Sequence, residues 1–148
     1  MSRVKLNIPI GNPLFSAKIN VRIGDINYGG HVGNDSVLSI IHEARVQMLG
    51  KKGFSELDAG GTSLIMADVM IAYKGEAFYG DELTVNIYAE ELTNSSFDLV
   101  YHIYTFRHGL KNDIAHAKTG MVCFDYETRK IVAMKDELRH VLLTLNDY

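Results

Sequence analysis

Within GDINYGGHVGN, Gly24 to Asn34, a carboxylate (Asp25), two carboxamides (Asn27 and Asn34) and an imidazole (His31) lie among four glycines. An imidazole with its ordinary pKa of about 6.5 suits proton transfer at neutral pH; the structural alternative for His31 is a hydrogen bond to a backbone carbonyl that shapes the loop. A carboxamide can orient a water or a carbonyl group, because it carries both donors and an acceptor. Glycines permit positive φ and close approach of a ligand, so the segment reads as either a sharp turn or a binding loop. Directly after it, Val37, Ile40, Ile41, Ala44 and Met48 recur at three- and four-residue steps, which predicts a long helix. A loop that feeds a helix start presents backbone N–H groups, here those around Gly30, His31 and Val32, to a developing negative charge. Glu43 falls at the border of the helix's apolar stripe. Partial burial there raises a carboxyl pKa and makes it a candidate base; the structural alternative is an ion pair with Arg45 of a second copy or with a local cation. Asp25 is open to a similar pair of readings, as a base or as a partner for loop amides and Arg22.

The remaining composition narrows the chemistry. With 148 residues, 47% hydrophobic and 22% charged, the chain is expected to form one domain over 1–148. A net charge of −3 and a pI near 6.0 supply no broad basic field, which argues against a nucleic-acid partner. No apolar run approaches the roughly 20 residues of a membrane span, and the first twenty residues are too interrupted for a signal peptide. Cys123 is the one cysteine, so no intramolecular disulfide can form. The default is a cytoplasmic location with no membrane partner. Cys123 itself, inside GMVCFDY, is expected to be a small buried apolar residue. The six histidines (31, 42, 102, 108, 116 and 140) form no metal-ligand motif, so neither a metal nor another cofactor is expected.

The elements that must position the loop follow from alternation and turn residues. FSAKINVRI predicts a strand over Phe15 to Ile23, with Ala17, Ile19, Val21 and Ile23 on one face. Asn34, Asp35 and Ser36 are candidate N-caps of the helix, and Gly50 to Gly53 ends it. Four strand-like runs follow, SLIMADVMIAYKG, LTVNIYAEEL, SFDLVYHIYTFRHG and AHAKTGMVCFDYET, separated by FYGDE, TNSS and GLKND. Such short separators predict that consecutive strands are antiparallel hairpin neighbours. DELRHVLLTL, Asp136 to Leu145, predicts a short terminal helix. The class is α+β, one antiparallel sheet wrapped round one long helix. Runs as apolar as SLIMADVMIAY, with no second long helix to cover them, predict a homodimer.

Four pieces of this sequence resemble the hotdog-fold thioesterases, in particular the 4-hydroxybenzoyl-CoA thioesterase-like and acyl-carrier-protein thioesterase-like branch. DINYGGHVGN is similar to the family's D-x-D-x-x-G-H-V-N-N, HEAR at His42 to Arg45 matches its helical E-A-R, YKGEAFYGDEL resembles Y-x-x-P-A-x-Y-G-D-E-L, and SSF at Ser95 to Phe97 resembles its serine-containing hairpin start. The resemblance implies a curved antiparallel sheet around a central helix, subunits joined into homodimers or dimers of dimers, and hydrolysis of acyl-CoA or acyl-carrier-protein thioesters without a metal or redox cofactor. On that reading Asn27, His31, Glu43 and Asp25 are the catalytic candidates. Gly30, Val32, Asn34 and Ser96 are candidates for substrate binding, with Arg107 for the phosphates of CoA. Asn27 stands at the second acidic position, where many members carry the catalytic aspartate; Gly33 and Glu76 also depart from the pattern. The departure at Asn27 keeps a second reading in view, a hotdog protein that binds an acyl thioester without turning it over. A third is a hotdog dehydratase or hydratase.

Overall fold

The computed structural model describes residues 1–144, in the order β1 (Phe15–Asn20), a 3-10 turn (Ile23–Asp25), α1 (Asn34–Gly50), β2 (Ser63–Tyr73), β3 (Glu82–Glu90), β4 (Ser96–Arg107), β5 (Leu110–Asp125), β6 (Lys130–Ile131) and α2 (Asp136–Thr144). The predicted end of the terminal helix at Leu145 lies outside the described residues. The strands form one antiparallel sheet in the order β1-β3-β4-β5-β2, with β6 added beside the end of β5. This α+β arrangement is the hotdog fold. Val37, Ile40, Ile41, Ala44, Met48 and Leu49 bury the predicted stripe of α1 against inward-facing residues such as Val85, Ile87, Leu99, Tyr101, Ile103 and Met121.

Three expectations need correction. The first strand stops at Asn20, because residues 23–25 tighten into the 3-10 turn, and Ile23 is exposed and not part of a buried face. The helix begins at Asn34 with Gly33 as its N-cap: Gly33 is extended, and its carbonyl accepts from the N–H groups of Ser36 and Val37. Of the four predicted runs, consecutive pairing holds for β3–β4 and β4–β5 and fails for β2–β3: β2 pairs with β5 at the far edge. Residues 74–81 therefore cross the open end of the sheet to reach β3, and this crossing lies beneath the start of α1. The turn His108-Gly109 that closes β4 onto β5 has positive φ at both residues, 52° and 76°, the twist that two-residue hairpins favour.

Arg45 is buried and ion-paired with Glu56 of its own chain, and its Nη1 donates to the Tyr101 hydroxyl at 3.1 Å. Tyr101 in turn shares a 2.8 Å hydrogen bond with Thr119. The HEAR arginine thus ties α1 to the sheet within one chain and is no partner for Glu43 of a second copy. Cys123 is buried, and burial pushes its thiol pKa up.

Candidate active site

The 24–34 loop is held by its own backbone. The Arg22 N–H donates to Asp25 Oδ2 at 2.9 Å and the Asp25 N–H returns to the Arg22 carbonyl at 2.9 Å, a reciprocal cap that closes the 3-10 turn. Asp25 is only 6% exposed, with Arg22 Nη2 3.6 Å from Oδ1. Its geometry is the loop-shaping one. The Asn27 N–H donates to the His31 carbonyl and the Gly33 N–H to the Asp25 carbonyl, both at 2.9 Å, so the loop doubles back as a narrow ribbon. At its tip the Gly29 N–H donates to Asn27 Oδ1 at 2.8 Å.

Two of the three amides expected to face a ligand are engaged internally. The Gly30 N–H donates to the Asn27 carbonyl and the Val32 N–H to the Ala77 carbonyl on the crossing segment. The N–H groups of His31, Asn34 and Asp35 make no hydrogen bond among the described residues. The donors available at this end are therefore the first turn of α1 and His31, where the helix dipole also favours negative charge.

His31 has a defined tautomer. Its Nδ1 lies 3.0 Å from the Val32 carbonyl, which can only accept, so in the neutral ring Nδ1 carries the proton and Nε2 the lone pair. A Cβ at Gly29 would stand 3.2 Å from Asn27 Oδ1 and 3.3 Å from His31 Nε2, so amide and imidazole converge on this glycine. Asn27 Oδ1 already serves the Gly29 amide, which leaves its Nδ2 donor available. At Gly33 a Cβ would lie 2.6 Å from Asp35 Oδ1; the Asp35 carboxylate fills the space an asparagine side chain would take there.

His31, Val32 and Asn34 line a cleft of about 250 Å³ together with Val37, Tyr73, Glu76, Ala77 and Ile114. The Tyr73 hydroxyl donates to the Asn34 carbonyl at 3.1 Å. Burial, and then the Asp35 charge, push its pKa up, so it remains a neutral donor. Glu43 lies elsewhere. It is exposed, accepts from Gln47 at 3.1 Å, and lines a separate cleft of about 530 Å³ with Arg22, Asp25 and His42. Nine residues of helix set it about 13 Å along the axis from Asn34.

The other two candidates are structural within one chain. Arg107 holds the crossing segment: its Nη2 is 2.7 Å from Asp81 Oδ2 and donates to the Glu76 carbonyl at 2.5 Å, and its guanidinium lies 4.8 Å over the Phe78 ring. Ser96 opens β4 just after the β3–β4 turn, its hydroxyl 2.7 Å from that of Thr93. It begins the twelve-residue strand that Arg107 ends, roughly 36 Å away.

The model of the thioesterase-like superfamily matches residues 21–142, from the turn before Asp25 to the last buried residue of α2. The chain belongs to the thioesterase-like superfamily. Its relatives include the long-chain acyl-CoA thioesterase FadM of Escherichia coli, 29% identical over 126 residues that cover 84% of this chain and 94% of that one. Among solved structures, Slr0204 of Synechocystis, a 1,4-dihydroxy-2-naphthoyl-CoA thioesterase, superposes with a TM-score of 0.79 at 23% identity over 90% of this chain and 98% of its own. The PA5185 protein of Pseudomonas aeruginosa gives 0.77 at 21% identity over 91% and 93%. For a thioesterase the loop matters most, because thioester hydrolysis needs a polarised carbonyl and an activated water.

Proposed function

We propose that this thioesterase hydrolyses acyl-CoA thioesters in the cleft beside the 24–34 loop, in the cytoplasm. The observation that carries the reading is His31: it lines the cleft with Nδ1 3.0 Å from the Val32 carbonyl, and in the neutral ring that contact leaves Nε2 as the base. A water positioned there loses its proton to Nε2 as it attacks the thioester carbonyl. The oxygen that becomes negative is stabilised by the Asn27 Nδ2 donor and by the N–H groups of Asn34 and Asp35 at the start of α1. The tetrahedral intermediate then expels the thiolate of CoA, which takes the proton back from His31. Asn27 therefore polarises the carbonyl, and Asp25 shapes the loop.

The acting unit is a homodimer or a dimer of dimers. The free edge of β2 exposes Met66 (37%), Val69 (41%), Met70 (38%) and Tyr73 (47%), a run of apolar side chains along an unpaired strand edge. Antiparallel pairing of two such edges would carry the Ser96 end of one protomer toward the His31 end of its partner, where Ser96 can meet substrate.

The test is thiol release from acyl-CoAs of graded chain length and with aromatic acyl groups, beside the same acyl groups on a carrier protein. Turnover of the CoA esters that disappears in His31→Ala supports the reading. Saturable binding without thiol release overturns it in favour of a non-catalytic binder.

A further inference from the structure

The sheet's outer face, opposite the core, carries a cluster that the thioesterase chemistry does not use. His102 and His116 are register partners on β4 and β5, and Asp113 stands beside them. One ligand atom from each residue lies within 4.8 Å of the other two. The two imidazoles meet different oxygens of the carboxylate, His102 Nε2 lying 2.8 Å from Asp113 Oδ1 and His116 Nε2 3.6 Å from Asp113 Oδ2. Residues three apart on a regular strand face opposite sides. Here Ile103 pairs with Ala115 and Tyr104 with Asp113, so Ile114 is an extra residue, and this bulge turns Asp113 to the same face as His116.

His116 is the group that asks for a partner. Its Nδ1 lies 3.4 Å from the Leu6 carbonyl of the N-terminal segment, which places the ring proton there and leaves Nε2 as a lone pair. That Nε2 is buried, has no hydrogen-bond partner, and faces a carboxylate oxygen. Two electron-rich atoms at this separation repel unless a proton or a metal cation lies between them. An imidazole whose other nitrogen is fixed by a backbone carbonyl is also how metal-bound histidines are oriented. Lys111, whose Nζ is 4.3 Å over the Tyr104 ring, opposes a cation here; the half-exposed Asp113 carboxylate offsets it.

We propose that His102, Asp113 and His116 form a three-ligand site for a divalent transition metal of the zinc class, with its fourth position open to solvent. Two imidazoles and a carboxylate suit that class. Bonds of about 2.1 Å in a tetrahedron set donors about 3.4 Å apart, so three ligand atoms that already lie within 4.8 Å of one another close on an ion by side-chain adjustment. The site is separate from His31 and does not depend on the hydrolytic reading.

The experiment titrates chelator-treated protein with Zn²⁺ in competition with a chromophoric chelator, and with Co²⁺ for its visible spectrum. One equivalent bound per chain, a zinc-dependent rise in melting temperature, and tetrahedral Co²⁺ bands without a thiolate charge-transfer band are expected. Loss of outer-shell partners alone weakens metal sites by about 10- to 100-fold, so His102→Gln and His116→Gln should each weaken binding at least tenfold, with circular dichroism confirming that both remain folded. The proposal is overturned if the wild type takes up no stoichiometric Zn²⁺, or if both variants bind as it does while His31→Gln or His42→Gln loses the metal.

Discussion

The 24–34 loop and the 74–81 crossing segment lie against each other at one end of the sheet, joined by the Val32 N–H on the Ala77 carbonyl, yet they treat their polar groups in opposite ways. The crossing segment is pinned by several of its polar groups. Lys74 and Gly75 both donate to the Ile114 carbonyl, Asp81 accepts from the Phe78 N–H and from Arg107, and the Glu76 carbonyl takes the other reach of that arginine. The loop satisfies its own skeleton and leaves out the Nε2 lone pair of His31, the Nδ2 of Asn27 and the first amides of α1. Rigid support below and open valence above is the division that a preorganised site needs.

Four substitutions sharpen or break that contrast. The largest effect belongs to His31→Ala: a fall in kcat on the order of 100-fold or more with little change in melting temperature, measured by thiol release and thermal unfolding. If both parameters fall together, the loop is scaffold as well and the contrast fails. Gly75→Ala comes next, since a Cβ there would stand 2.5 Å from the Asp113 carbonyl oxygen, a backbone atom that cannot swing aside. Overpacking of this kind costs about 1–3 kcal/mol, read as a lower urea midpoint, with activity following stability.

Asp81→Asn tests the same support through pH. Burial alone would raise the Asp81 pKa, but the Arg107 guanidinium and the Phe78 N–H outweigh it and hold the carboxyl below its usual range. A carboxyl depressed on folding stabilises the protein above its unfolded pKa of about 3.9, and that contribution is lost as pH falls through the folded value. The variant should be less stable than the wild type by about 2 kcal/mol at neutral pH, and the gap should close as the solution is acidified below about pH 4. Equal acid limbs for the two proteins would remove Asp81 from the support. The smallest effect is expected for Asn27→Asp, which keeps the acceptor for the Gly29 amide and adds a carboxylate beside His31. The Nδ2 donor to the oxyanion is lost while a second base is gained, so kcat measured by thiol release should fall, but by less than in His31→Ala; an unchanged or raised kcat would remove Asn27 from polarising the carbonyl.

Much of this was legible in the residues. Val37, Ile40, Ile41, Ala44 and Met48 declare the helix because a single buried stripe dictates their spacing, and the glycines of 24–34 declare a loop at its start. The misreadings have physical causes. A separator such as FYGDE carries the chemistry of a hairpin turn, but turn residues only reverse a chain; which strand accepts β2 is decided by pairing across the sheet, and β5 wins. Glu43 borders a stripe whose edge is solvent-facing, and Arg45 finds its carboxylate in Glu56, eleven residues on, in a connection with no periodicity to read. Arg107 reads as a free cation until Asp81, twenty-six residues before it, is brought within reach. His102, Asp113 and His116 were invisible as a group because the bulge that unites them leaves no mark in residue type.

That bulge also fixes the permissible length of the chain. Ile114 lines the cleft on one face while Asp113 stands on the other, and the carbonyl of Ile114 anchors the crossing segment. Deleting Ile114 itself would leave Asp113 opposite Tyr104 on the outer face in a regular ladder, but it would take a residue from the wall of the cleft and cut the crossing segment from its anchor. A homologue one residue shorter here can thus keep the outer cluster only by rebuilding the wall of the cleft.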